Sequence, residues 1–183
     1  RQLHDDSANT WSETSIAASM TDQVATTAFP HFAATVDIAN SQNLLVAWSA
    51  TDLANSDLRC WTVTDSAITE VTNVVLNSTD DQGLAAIGID TTTGHWYVFY
   101  GGKSDGSEVY LTNINIYYKK STDSGTTWGS ETLLTTRLRD ITWLICTPRF
   151  VNHFGVAFHS DVSLDEIHYS AKLPTTGGSI RIN

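Results

Sequence analysis

One tripeptide, Asp followed by Ser and a small residue, occurs three times at a near-constant interval. The copies are Asp6-Ser7-Ala8, Asp65-Ser66-Ala67 and Asp123-Ser124-Gly125, 59 and 58 residues apart. Self-similarity at a fixed period marks units that cannot bury their apolar faces alone and must stack on one another. The surroundings repeat as well. Asp6 is followed by Trp11 and Ser12-Glu13-Thr14, and Asp123 by Trp128 and Ser130-Glu131-Thr132. Ala33-Ala34 and Trp48 recur as Ala85-Ala86 and Tyr100, each shifted by 52 residues, and Phe29-Pro30-His31-Phe32 recurs loosely as Thr147-Pro148-Arg149-Phe150.

Within each unit, alternation and enrichment in β-branched and aromatic residues predict strands. They fall at 32–38, 44–49, 58–64 and 70–76 in the first unit, and at 84–90, 95–101, 114–120 and 131–135 in the second. The third unit has strands at 142–150, 154–159 and 166–172, with no clear fourth. No segment sustains an i, i+3, i+4, i+7 apolar stripe over three turns, so helices are not expected. Four short antiparallel strands per unit describe a propeller blade. The expectation is an all-β chain forming one β-propeller segment over 1–183, with blade units at about 1–18 (partial), 27–77, 82–136 and 140–183. About three blade-equivalents would then form part of a six- or seven-bladed ring.

Composition narrows the function classes. The 183 residues are 41% hydrophobic, enough for a real core, and only 16% charged, which suits polar turns better than salt-bridged helices. Twenty acidic against ten basic residues give a formal charge of -10, which repels phosphate backbones and anionic lipid, so neither nucleic acid nor membrane insertion is expected. No apolar run reaches the about 20 residues a spanning helix needs. Two cysteines, Cys60 and Cys146, exclude a disulfide-stapled miniprotein. The chain opens at Arg1, so the lack of a visible leader does not argue against secretion.

The segment Ser121-Thr122-Asp123-Ser124-Gly125-Thr126-Thr127-Trp128 resembles the Asp box, Ser-x-Asp-x-Gly-x-x-Trp, of the bacterial neuraminidase repeats in sialidase-like propellers. Ser121, Asp123, Gly125 and Trp128 fill its four key positions, and the N-terminal copy keeps Asp6 and Trp11. These residues read as turn locks: a short carboxylate accepts N–H groups of its own turn, Gly supplies positive φ, and Trp covers apolar surface. The resemblance implies that the boxes lie on the face opposite the ligand pocket. It also implies an extracellular or cell- or virion-surface location.

A sialidase site would bring three arginines onto a carboxylate, a Tyr-Glu nucleophile pair and an Asp acid/base. Only six arginines are present, and the arginine-bearing opening of the family is missing. No catalytic residue is assigned, and the reading leans away from an enzyme. If the family geometry carries over, the functional face comprises inter-unit connections and the loops between second and third strands. Its ligand-binding candidates are Arg137, Arg139, Asp140, Glu108, Tyr110, Asp80 and Asp81, and Arg149, in the same unit as Arg137 and Arg139, is a further ligand-binding candidate. Arg137 and Arg139 could grip a carboxylate or sulfate, or pair with Asp140. Glu108 and Tyr110, two apart, share a side if that segment is extended. No metal site or cofactor is expected; calcium on the Asp80-Asp81 loop is the alternative, without the usual loop spacing.

The leading expectation is therefore a sialidase-like, non-catalytic module for glycan binding or adhesion on a surface, its partner a glycan or glycoconjugate. The alternatives are a fragment of an exo-acting sialidase-like glycoside hydrolase whose catalytic residues lie elsewhere, and a structural component of a virion or surface layer. The missing fourth strand of the third unit and the orphan strand at 12–18 further suggest a homodimer or larger assembly that completes the ring by exchanging a strand.

Overall fold

Turn-forming residues cut this sequence into short apolar stretches, and each stretch becomes a strand. The computed structural model describes residues 2–5, 10–13, 32–40, 42–50, 56–64, 67–71, 74, 83–105, 107–108, 115–135, 141–151, 154–160, 166–172 and 179–182. Among these the regular elements are strands, apart from one 3-10 turn at Ile38–Asn40. β1 (Gln2–Asp5) and β2 (Thr10–Glu13) form an antiparallel hairpin. β3 (Phe32–Asp37), β4 (Gln42–Ala50), β5 (Ser56–Val63) and β6 (Ile68–Val71) form a four-stranded antiparallel meander, the first sheet.

The middle sheet repeats that order with β7 (Gly83–Asp90), β8 (Trp96–Gly101), β9 (Ile116–Ser121) and β10 (Thr132–Leu133). The last sheet is built from β11 (Ile141–Cys146), β13 (Phe154–Ser160), β14 (Glu166–Lys172) and β15 (Ser179–Ile182). Between β11 and β13, β12 (Arg149–Phe150) leaves its own sheet and pairs in parallel with β7, giving the middle sheet a fifth strand.

Two expectations change here. The strand expected at 142–150 is interrupted at Pro148, which lacks an N–H to donate. Its carbonyl instead accepts from Ile89 N at 3.0 Å and from Thr35 Oγ1 of the first sheet at 2.8 Å. The third unit does have a fourth strand: β15 pairs with β14 from Tyr169↔Ile182 to Lys172↔Ser179. The N-terminal strand likewise pairs within its own chain, Ser12 with Leu3 and Glu13 with Gln2. The reason to expect strand exchange between copies is thereby removed.

Burial on both faces explains why β7 and β8 read as unbroken apolar runs: all their residues are buried. One face of the middle sheet carries Leu84, Ala86, Tyr97, Phe99 and Ile116 against Leu144, Phe150, Phe154, Val156 and Phe158 of the following segment. Phe99 and Phe154 lie 4.9 Å apart between ring centroids, tilted by 59°, an arrangement that adds to simple area burial. The other face sets Ala85, Ile87, Ile89, Trp96, Val98 and Tyr100 against Leu58 and Cys60 of the first sheet. β7 contacts both β3 and β11, so the opening strands of the three sheets run beside one another. Gly88 permits this closeness: a Cβ there would come within 2.7 Å of the Phe150 ring and 2.9 Å of the Thr147 carbonyl oxygen. A buried polar contact ties the first sheet to the middle one, with Trp96 Nε1 donating to Asp37 Oδ2 at 2.7 Å.

Candidate functional site

The middle sheet has two polar ends, separated by the length of β8, or about 16 Å of extended chain. At one end β9 turns into β10 through Ser121 to Gly129. Ser121 Oγ accepts from Gly125 N at 2.8 Å and from Asp123 N at 3.3 Å, and donates to Asp123 Oδ1 at 2.7 Å. Asp123 Oδ1 also accepts from Thr127 N at 2.8 Å, and Oδ2 accepts from Thr127 Oγ1 at 2.6 Å. With Thr127 donating from side chain and backbone and Ser121 adding a third bond, the Asp123 carboxyl is held down at about 2. Gly125 sits at φ 87° with its α-carbon against the Trp96 ring, where an added Cβ would approach to 2.7 Å. Trp128 packs against the same cluster as Trp96. Every bond of the Asp123 carboxylate reaches a residue within four positions of it. Its job is to hold its own turn.

The opposite end is built differently. Tyr100 and Tyr117 are cross-strand partners on β8 and β9, their rings stacked at 6.4 Å and 25°. Tyr100 donates to Glu131 Oε2 at 2.6 Å, and the same oxygen accepts from Ser104 N at 3.0 Å. Tyr117 donates to Glu108 Oε1 at 2.8 Å, which also accepts from Asn115 Nδ2 at 3.0 Å, while Asn115 N donates to Glu108 Oε2 at 2.9 Å. The carbonyl of Glu108 accepts from Lys103 N at 2.9 Å. Two buried tyrosines thus seize one carboxylate from inside the β8–β9 loop and one from the residue just before β10. Lys103 and Asp105 form an ion pair, and Asp105 further accepts from Ser107 N and Oγ.

Electrostatics assign the phenols a role. Burial is the largest influence on Tyr100 and Tyr117, and the hydrogen-bonded glutamates add to it, so both phenols titrate well above their ordinary value near 10. They are neutral donors at any physiological pH. A nucleophilic phenolate would need the reverse shift. Lys119 is pushed down by burial, against the opposing pull of Glu131. Asp105 is held at about 2, first by Lys103 and then by the Ser107 donors. At this end β7 also slips register against β8 between Gly83 and Ala86, with Leu84 at φ 62°. That conformation is costly for a bulky L-residue, and bulges of this kind gather beside functional sites.

Of the residues singled out in the sequence, Glu108 lies in this site, but its tyrosine partner is Tyr117, nine positions on. Tyr110, Arg137, Arg139, Asp140, Asp80, Asp81 and Asp6 lie outside the described residues, as does the side chain of Trp11, whose backbone is in β2. Arg149 is exposed on β12 opposite Ile89, at the Asp123 end, so Arg149 and Glu108 are not brought together. Among the described residues no group of three His, Cys, Asp or Glu converges to hold a metal ion. Sequence reasoning missed Tyr100, Tyr117, Asn115 and Glu131. The recurrence of Ser12-Glu13-Thr14 as Ser130-Glu131-Thr132 was a signal for Glu131; nothing in the sequence signalled the reach from Glu108 to Tyr117.

No protein-family model and no curated protein matches this sequence. Solved structures do match its fold. A microbial sialidase, Hadza Hz136, superposes with a TM-score of 0.57 at 16% identity over 85% of this chain and 37% of the sialidase. An N-acetylgalactosamine deacetylase from F. plautii, solved with blood group B trisaccharide, gives a TM-score of 0.53 at 13% identity over 92% of this chain and 56% of the deacetylase. The chain therefore spans well under two thirds of either protein. It has an all-β, sialidase-like fold built from antiparallel sheets.

Proposed function

We propose that this chain is a non-catalytic, propeller-type glycan-recognition module acting outside the cytoplasm or on a cell or virion surface, with its ligand at the Glu108 end of the middle sheet. The observation that carries this reading is the pair of buried Tyr–Glu hydrogen bonds, which fix a polar loop on a rigid sheet while keeping both phenols protonated. A loop anchored in this way presents Lys103, Asp105 and Ser107 with little ordering left to do on binding, which is the condition for affinity from a few polar contacts. The fold shared with a sialidase and with a deacetylase solved with a trisaccharide supports a glycan as the ligand class.

Binding to a glycan array tests it. Asp105→Ala and Tyr117→Phe should each weaken the strongest signals at least about tenfold, whereas Asp123→Asn should leave them unchanged. Equal loss from all three variants would refute the placement of the site. A second reading, part of a sialidase-like glycoside hydrolase, is favoured by the contact of Tyr117 with Glu108 at 2.8 Å, because a tyrosine beside a carboxylate is the nucleophile pair that the resemblance implies. Turnover of a fluorogenic sialoside that Tyr117→Phe abolishes would put that reading first.

A further inference from the structure

The three sheets point the same way. Asp37, at the end of β3, accepts the indole N–H of Trp96, which opens β8 opposite Ser121 at the Asp123 end. Pro148, just past β11, accepts from Ile89 N near the end of β7, and β12 runs parallel to β7. β3, β7 and β11 therefore finish together, and in each sheet the next paired strand turns back antiparallel. The connections of all three sheets are thereby sorted into two sets, one at the Asp123 end and one at the Glu108 end.

Charge is sorted with them. The connections at the Glu108 end are residues 51–55, 72–82, 102–115, 134–140 and 161–165, which hold eight Asp or Glu against three Lys or Arg. Those at the Asp123 end, residues 38–41, 64–67, 91–95, 122–131, 147–153 and 173–178, hold three against one. One of those three, Glu131, reaches back to Tyr100 at the other end. Acidity is concentrated where the ligand is placed.

Lys103 sits in this field. Its ammonium is favoured first by the bond to Asp105, against the opposing effect of burial, and further by Glu131 and Glu108. Asp105 is held at about 2 and so is charged at any physiological pH. Among the described residues both hydrogen bonds of Glu131 fall on Oε2, which leaves Oε1 as an acceptor. Ionised carboxylates accept and do not donate, so they suit a ligand that brings hydroxyl donors and no negative charge. An acidic ligand would bring like charge into the same field and lose its hydration there.

We propose, resting on the glycan reading above, that the Glu108 end is a charge filter: it takes glycans free of acidic groups through their hydroxyls and turns away sialylated, sulfated and uronic-acid glycans. This is the opposite of the carboxylate grip that the sialidase resemblance implies.

A glycan array that sets each neutral glycan beside its sulfate-ester and uronic-acid counterparts tests the filter on the 183-residue chain. Neutral members should bind at least about threefold better than their acidic counterparts at about 0.1 M salt. The ratio should shrink towards one at about 1 M, where the screening length falls from about 10 Å to about 3 Å. Lys103→Met, which removes a cation, should widen the ratio. Glu131→Gln, which keeps an acceptor oxygen for Tyr100 and Ser104, should narrow it. Should that variant fail to fold, Asp80→Asn combined with Asp81→Asn removes two charges from the β6–β7 connection and should narrow the ratio likewise. A merely structural role for these residues would scale neutral and acidic signals together and leave the ratio alone. Binding without preference for neutral members, or a ratio that ignores both salt and these charge changes, overturns the filter and leaves a glycan ligand in place. Binding to no glycan at all overturns the glycan reading and the filter with it.

Discussion

The two ends of the middle sheet solve the same problem, holding a polar turn on an apolar sheet, by opposite means. At the Asp123 end the bonds are local: a serine, an aspartate and a threonine close a turn whose backbone shape depends on one glycine. At the Glu108 end they are long-range and half-buried. Tyr100 reaches Glu131, 31 residues away in sequence, and Tyr117 reaches Glu108, nine residues away. A local lock needs only the residues of its own turn. A long-range clamp forms only when loop and sheet are both in place, so it reports on tertiary structure and ties the loop position to the core.

The sharpest way to break the comparison is at Gly125. Alanine there must adopt φ near 87° and set its Cβ against the Trp96 ring, which is wedged in the core with its indole N–H on Asp37. Left-handed strain and the clash together should cost about 2–4 kcal/mol. Urea denaturation should show this loss. Glycan binding measured well below the transition should be unchanged, because the opposite end is untouched. A cost under about 0.5 kcal/mol would show that the local lock tolerates a different backbone.

Tyr100→Phe should cost less and do more. It removes the donor from a half-buried carboxylate that keeps Ser104 N as a partner, and a loss of about 1–3 kcal/mol is expected. Because Glu131 thereby loosens its hold on the β8–β9 loop, binding should weaken together with stability. A variant that destabilised the protein and left binding intact would separate the clamp from the ligand and move the site elsewhere.

These two ends also differ in how far the sequence disclosed them. The Asp123 turn was legible because its chemistry is compressed into eight consecutive residues, each with a local reason to be there. The strands were legible too, since alternation and turn clusters bracket them. β15 was missed: Ser179–Ile182 is four residues long and follows Gly177-Gly178, too little periodicity to register. The Glu108 clamp was half legible. Glu108 stood out as a carboxylate in a loop of the expected functional face. Its partner depends on the register Tyr100↔Tyr117, which places two tyrosines side by side on one face, and register is a property of the paired sheet.

The smallest expected effect sharpens the comparison by pH. The Asp123 carboxyl titrates at about 2 in the folded chain, against about 3.9 for an unrestrained aspartate. Its folded value is the lower one, so between these two values the unfolded chain binds the proton more readily than the folded one does. The stabilisation is therefore fully present above about pH 4 and is lost as the pH falls towards about 2. Asp123→Asn has no charge to titrate and lacks the second acceptor for Thr127 Oγ1. The parent should melt higher than this variant at pH 5, and the gap should narrow steadily below pH 4. Asp105, also held at about 2 by Lys103 and Ser107, should give its own Asp105→Asn variant the same narrowing. The two differ in what else acid does. Protonating Asp105 releases Lys103 at the Glu108 end, so, if the proposed site is right, glycan binding by the parent should fall over the same window, while Asp105→Asn, which lacks that ion pair at every pH, should bind with a flatter acid profile. Parallel profiles for the parent and Asp105→Asn, measured where both remain folded, would remove Asp105 from the site and leave the Tyr–Glu clamp as its only anchored part.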